Sequence, residues 1–225
     1  GNDKVKDKIE VLRDEFVVRS AEPNATYEGL EPDKNVAWAI GDPQSFVVQW
    51  AAQAIRLADA QRISTGAGVR VAVLDTGVDR HHPELAGKLL PGFDFVDFDA
   101  DPSEVGSVAN RSFGHGTHVA GLVARVAPGA RIMPLRVLDA DGVGNVWVLA
   151  EAMLHAVDPD GDPATDDGAH VINLSLSSLQ KTDLFKSVAK LVSCKKRVLG
   201  GKRPGDDADD GDGDDDGDDS GVSIG

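Results

Sequence analysis

A single cysteine, Cys194, is all that 225 residues contain, so no disulfide can form within the chain. The simplest role for such a residue is that of a small buried hydrophobe, and it leaves the redox compartment open. Long apolar runs are also missing. None approaches the roughly 20 residues that a membrane-spanning helix requires, so no transmembrane segment is expected. The charged stretch from Asp3 to Arg13 has no apolar core behind a basic start, so no signal peptide is visible. Basic residues are outnumbered, 23 Lys and Arg against 38 Asp and Glu, for a net charge of -15. Apart from Lys195-Lys196-Arg197 there is no basic cluster, and an acidic chain gains nothing from counterion release, so nucleic acid is not an expected partner.

The acidity is not evenly spread. Ten of the 38 acidic residues lie between Asp206 and Asp219, and without them the net charge falls to about -5, an ordinary value for a soluble domain. Residues 195–225, rich in Gly and Asp, are expected to form a disordered segment. With 41% apolar residues the rest suits one globular domain, placed here at 46–194, behind an irregular stretch at 1–45 with turn signals at Ala21-Glu22-Pro23-Asn24 and Glu31-Pro32-Asp33.

Periodicity predicts the order of elements inside that domain. Apolar spacing from Gln49 to Ile63 suits a helix, and Val69-Arg70-Val71-Ala72-Val73-Leu74 reads as a buried strand stopping at Asp75-Thr76-Gly77. A helix at 114–126, a strand at 131–138, a helix at 146–157, a strand at 170–176 and a helix at 182–192 follow. Alternation of this kind implies an α/β fold built on a parallel sheet. Open sheets of this class place their chemistry at the carboxyl ends of strands, where Asp75 lies.

The second conspicuous motif is His115-Gly116-Thr117-His118-Val119-Ala120-Gly121. Two histidines three apart could be zinc ligands, but the helices of zinc proteases space them four apart around a Glu that is missing here. A different chemistry fits better. An imidazole whose tautomer is set by a buried carboxylate can take a proton from a nucleophilic hydroxyl, and Asp75 with His115 could form that pair.

Taken together and in this order, the two motifs resemble those of the subtilisin-like serine proteases, peptidase family S8. The resemblance implies a parallel sheet with helices on both faces, incomplete at its C-terminal side, with Asp75 orienting and His115 as the base. His118 becomes a structural neighbour. Leu135-Arg136-Val137-Leu138-Asp139 with Gly142 and Gly144, and Val171-Ile172-Asn173-Leu174-Ser175-Leu176-Ser177, are similar to the two edges between which such enzymes hold an extended peptide. Polypeptide is therefore the implied substrate, bound by Gly142, Gly144, Ser175, Leu176 and Ser177. Ser177-Ser178 departs from the Gly that relatives often carry there. Phe16 to Asn24 is similar to the end of an inhibitory propeptide, which makes the protein's own propeptide an implied partner and residues 1–45 its end plus a linker. Secretion and a monomeric state are expected on the same ground.

The family's G-T-S nucleophile motif and its oxyanion Asn occur nowhere in these 225 residues. Asp219-Ser220-Gly221 lies in low-complexity sequence and does not replace them. A chain without them is expected to be inactive by itself, whether as a fragment of an endopeptidase or as a calcium-dependent binding or regulatory remnant of one. Calcium is the one cofactor suggested, and no organic cofactor is. The carboxylates Asp94, Asp97, Asp99 and Asp101 would repel one another without a cation, and their loop resembles a calcium loop of thermitase-like members. Asp158, Asp160, Asp162, Asp166 and Asp167 are a second, less regular set.

Overall fold

The computed structural model describes residues 2–14, 21–29, 50–162, 164–177 and 182–199. Its elements in chain order are α1 (Asn2–Arg13), β1 (Thr26–Gly29), α2 (Trp50–Ala54), α3 (Leu57–Ile63), β2 (Arg70–Asp75), a 3₁₀ turn (Pro83–Leu85), β3 (Phe93–Asp94), α4 (His115–Val126), β4 (Arg131–Arg136), β5 (Val143–Asn145), α5 (Val146–Val157), β6 (Val171–Leu174), β7 (Leu176–Ser177) and α6 (Asp183–Leu199).

Four strands form a parallel sheet in the order β3-β4-β2-β6. β2 lies inside it, and successive side chains of a strand point to opposite faces. Val71 and Val73 join Val119, Ala120 and Ala124 of α4 and Leu85 of the 3₁₀ turn. Ala72 and Leu74 join Leu149, Ala152, Met153 and Ala156 of α5 and Val188 of α6. With both faces covered by helix, the strand needs apolar residues on both sides, which is why it reads as an unbroken run. By the same parity, residue 75 falls on the α4 side. The ladder ends there as well: Val137 and Leu138 donate their N–H groups to the carbonyl of Asp75 at 2.8 and 3.2 Å.

A second, smaller sheet has the order β5-β1-β7, with β1 antiparallel to both neighbours. It was not expected, since β1 lies in the stretch read as propeptide end and linker. Residues 1, 15–20 and 30–45 of that stretch, and 46–49 after it, are outside the described residues.

Other boundaries moved for local reasons. The single helix expected at 49–63 is two, broken where Arg56 adopts φ 54. The strand expected at 170–176 leaves the parallel sheet after Leu174 and resumes as β7 in the smaller one. α5 begins at Val146 as predicted, because Asn145 caps it by accepting the N–H of Val148 at 3.1 Å. α6 continues past Cys194 to Leu199, so the compositional break at 195 does not end the helix. The remainder of the expected disordered segment, 200–225, lies outside the described residues.

His155 on α5 is half-buried against the rings of Phe93 and Phe95, with centroids 5.7 and 5.4 Å away. Burial lowers its pKa from the usual 6.5, opposed by the charge of Asp167. A base whose folded pKa is depressed contributes stability that is complete above its unfolded pKa and lost as pH falls through the folded one. His155→Phe should therefore flatten the decline in stability as pH drops from 6.5, measured by urea unfolding at several pH values. An unchanged pH slope would show that His155 is not the responsible group.

Candidate active site

Asp75 ends β2 on the α4 face, and His115 is the first residue of α4. Both are buried, at 1% and 5% exposure, and Nδ1 of His115 lies 2.7 Å from Oδ1 of Asp75. An ionised carboxylate can only accept, so Nδ1 carries the proton and Nε2 keeps its lone pair. That is the tautomer a general base needs. The backbone N–H of Thr76 also donates to Asp75 Oδ1, at 2.8 Å.

The two elements can approach only because residue 116 has no side chain. A Cβ on Gly116 would stand 2.0 Å from the carbonyl oxygen of Gly77 and 3.2 Å from the Asp75 side chain. The small residues of the His motif are thus a steric condition for the pair. His118 is exposed on α4.

Glu104, in the loop before α4, escaped the sequence reading. Its Oε1 accepts from Thr76 Oγ1 at 2.9 Å and from the N–H of Gly114 at 3.0 Å, and its Oε2 accepts from Thr117 Oγ1 at 3.0 Å. Burial raises its pKa, while the hydrogen bonds from Thr76, Thr117 and Gly114 pull it down. The stability it contributes is therefore complete below the ordinary carboxylate pKa and declines as pH rises through the raised value. Its only sequence signal was an acidic residue 11 positions ahead of the His motif, in a loop with many others.

Of the residues expected to bind a peptide, Gly144 faces Tyr27, Leu176 faces Gly29 and Ser177 faces Glu28 across the small sheet. Gly142 turns the chain ahead of β5 with φ 80, and Ser175 links β6 to β7, its Oγ accepting from Asn173 Nδ2 at 3.0 Å. The two presumed edges are therefore joined through one extended strand, residues 26–29 of the chain itself. The residues just before that strand fasten onto two helix starts. Glu22 accepts the N–H groups of Asp183 and Leu184 at 2.8 Å each, and Asn24 Oδ1 accepts that of Trp147 at 3.1 Å. Helix N-termini have free N–H groups and a positive dipole end, so a carboxylate is well placed there.

The four aspartates expected to hold calcium are not brought together. Asp94 is 2% exposed, and its Oδ2 binds buried Arg136 at 2.5 Å while its Oδ1 accepts from the N–H groups of Val96 and Asp97. Asp97 takes a second bond from the same guanidinium nitrogen at 2.6 Å. Asp99 accepts from the N–H of Asp101, and Asp101 is engaged by Arg80 and Ser103. Arg136 thus supplies positive charge to two of these carboxylates, and among the described residues the four do not converge as one group of ligand oxygens. In the second acidic loop Asp158, Asp160 and Asp167 do converge, with candidate ligand oxygens within 4.8 Å of one another, while Asp166 pairs with Arg70. Such a set of oxygens suits calcium.

Residues 66–215 match the subtilase family, peptidase S8. The chain is 38% identical over 191 residues to the thermophilic serine proteinase of Bacillus sp. (strain AK1), covering 78% of this chain and 44% of that protein. It is 39% identical over 145 residues to thermitase of Thermoactinomyces vulgaris, covering 60% and 47%. A solved protease from Pseudoalteromonas arctica aligns with a TM-score of 0.57 at 30% identity, over 68% of this chain and 56% of that one. The chain spans less than half the length of these two curated relatives.

Burial works against the charge of Arg136, but the hydrogen bonds to Asp94 and Asp97 outweigh it and raise the pKa of the guanidinium. Arg136→Ala would leave Asp94 buried without its counter-charge. Breaking a buried pair this way costs about 3–5 kcal/mol, so denaturant unfolding should show a loss of that order. A loss under about 1 kcal/mol, the range of an exposed pair, would mean that Asp94 finds another partner.

Proposed function

Because the chain belongs to the subtilase family, we propose that its parent protein is a serine-type endopeptidase that hydrolyses polypeptides, with Asp75 and His115 as two members of its triad. The observation that carries this reading is the buried 2.7 Å pair at the carboxyl end of β2, in a chain that also seats β1 between β5 and β7. In this reading His115 Nε2 removes the proton of a serine hydroxyl as it attacks the scissile carbonyl, then returns it to the leaving amine. Asp75 keeps the tautomer and stabilises the imidazolium. The G-T-S serine and the oxyanion Asn are not among these 225 residues, so the parent would supply them from sequence outside them, and this stretch alone would not cleave.

Residues 21–29 fit the role of the protein's own propeptide. β1 lies between β5 and β7 as a substrate would, main chain to main chain, and Glu22 and Asn24 anchor it to two helices. Its direction is also productive. β1 is antiparallel to β7, with Glu28 opposite Ser177 and Gly29 opposite Leu176, so each step along β1 moves back along β7 toward Ser175. Ser175 follows Leu174, which lies abreast of Leu74, next to Asp75. On the same resemblance we place the parent outside the cell and as a monomer. Among the described residues no helix is long and apolar enough to cross a membrane.

A second reading, a calcium-dependent binding or regulatory module, is favoured only by the convergence of Asp158, Asp160 and Asp167. Calorimetric titration that finds no calcium binding would remove it.

The parent protein should label with a fluorophosphonate probe and should process itself to a new N-terminus at Leu30 or Glu31. Asp75→Asn should lower kcat by about 10⁴-fold, the order seen when a triad aspartate is lost, and should stop that processing. Absence of labelling, or an Asp75→Asn enzyme with undiminished kcat, would sink the endopeptidase reading.

A further inference from the structure

Two seams join the turn after β2 to the first turn of α4, and one carboxylate governs both. Thr76 Oγ1 donates to Glu104 and accepts the N–H of Gly116 at 2.9 Å. Thr117 Oγ1 donates to Glu104 and accepts the N–H of Asp79 at 2.7 Å. Each threonine has only one hydroxyl proton. When that proton is committed to an acceptor-only carboxylate, the remaining lone pairs must face the two backbone N–H groups. Glu104 therefore sets the direction of every bond in both seams, in addition to accepting the N–H of Gly114 next to His115.

The seams bracket the pair. Thr76 adjoins Asp75 and gives it an N–H bond, while Gly114 and Gly116 flank His115. Gly116 is also the residue whose lack of a Cβ lets the elements meet, so the seam through Thr76 closes on the point of nearest approach. Glu104 further places negative charge at the start of α4, a 12-residue helix whose capping residue, Gly114, has no side chain to satisfy its first N–H groups.

We propose that Glu104 is a positioning residue of the Asp75–His115 pair, acting through Thr76 and Thr117 to hold the imidazole at hydrogen-bonding distance from the carboxylate. This rests on the reading of that pair as catalytic. Glu104→Gln keeps the volume of the side chain but can present an acceptor to only one side. With its oxygen kept toward Thr76 and Gly114, its NH₂ would face Thr117, and the hydroxyl there could no longer donate. Thr76→Val cuts the other seam and leaves Glu104 in place.

The test uses the intact parent protein, read by the low-field proton resonance of His115 Nδ1–H and by steady-state kinetics on a peptide substrate. Glu104→Gln and Thr76→Val should each shift or broaden that resonance and lower kcat about 10–100-fold while KM stays within about twofold, as expected when a reacting group is displaced by a fraction of an ångström to an ångström. If Glu104 only braces the fold, both variants will melt at lower temperature yet keep the wild-type resonance and kcat below that temperature, and that result overturns the proposal. Asp75→Asn separates the two levels. Loss of the resonance in Asp75→Asn together with no change in Glu104→Gln or Thr76→Val rejects the role of Glu104 alone. An unchanged resonance in Asp75→Asn rejects the pair itself and this inference with it.

Discussion

The near-contact between Gly116 and the carbonyl of Gly77 is the constraint on which the rest of the site depends. A carboxylate at the end of a strand and an imidazole at the start of a helix can share a proton at 2.7 Å only if the two backbones come closer than a side chain would allow. Everything around that contact maintains it. β2 is held on both sides by parallel neighbours, and α4 is packed on Val71 and Val73 through Val119, Ala120 and Ala124. Glu104 then ties the two ends together through both threonines.

A second consequence concerns charge. The carboxyl ends of β3, β2 and β4 bring Asp94, Asp75 and Arg136 into the interior, where isolated charge is costly. Each is answered locally: Asp75 by His115 and a backbone N–H, Asp94 by Arg136 and two N–H groups. In the acidic loop 94–101 a single guanidinium supplies positive charge to both Asp94 and Asp97. Polar work is concentrated along one edge of the sheet, while the cores on its two faces stay apolar.

The smaller sheet is held together largely by main-chain pairing. Three residues of β5 and two of β7 present main-chain groups, and residues 26–29 fill the space between them by backbone pairing. The anchors that hold this strand, Glu22 and Asn24, work by answering the free N–H groups of α6 and α5. Glu22-Pro23-Asn24 looked like turn punctuation in the sequence, because helix capping across more than a hundred residues leaves no local pattern.

Local pattern was sufficient for β2, α4, β4 and α5, for the parallel sheet, and for Asp75 and His115 as candidates. Unbroken β-branched runs, a capping Asn145 and small residues in the His motif are properties of neighbouring positions, and the chain carries them whatever it packs against. Tertiary structure alone decided the rest. Whether Asp94 faces a cation or Arg136, whether residues 26–29 are linker or the middle strand of a sheet, and which of many acidic side chains binds Thr76 and Thr117 all depend on groups distant in sequence. Burial and hydrogen-bond satisfaction settle those choices, because a polar group removed from water must take the partner that the fold brings to it.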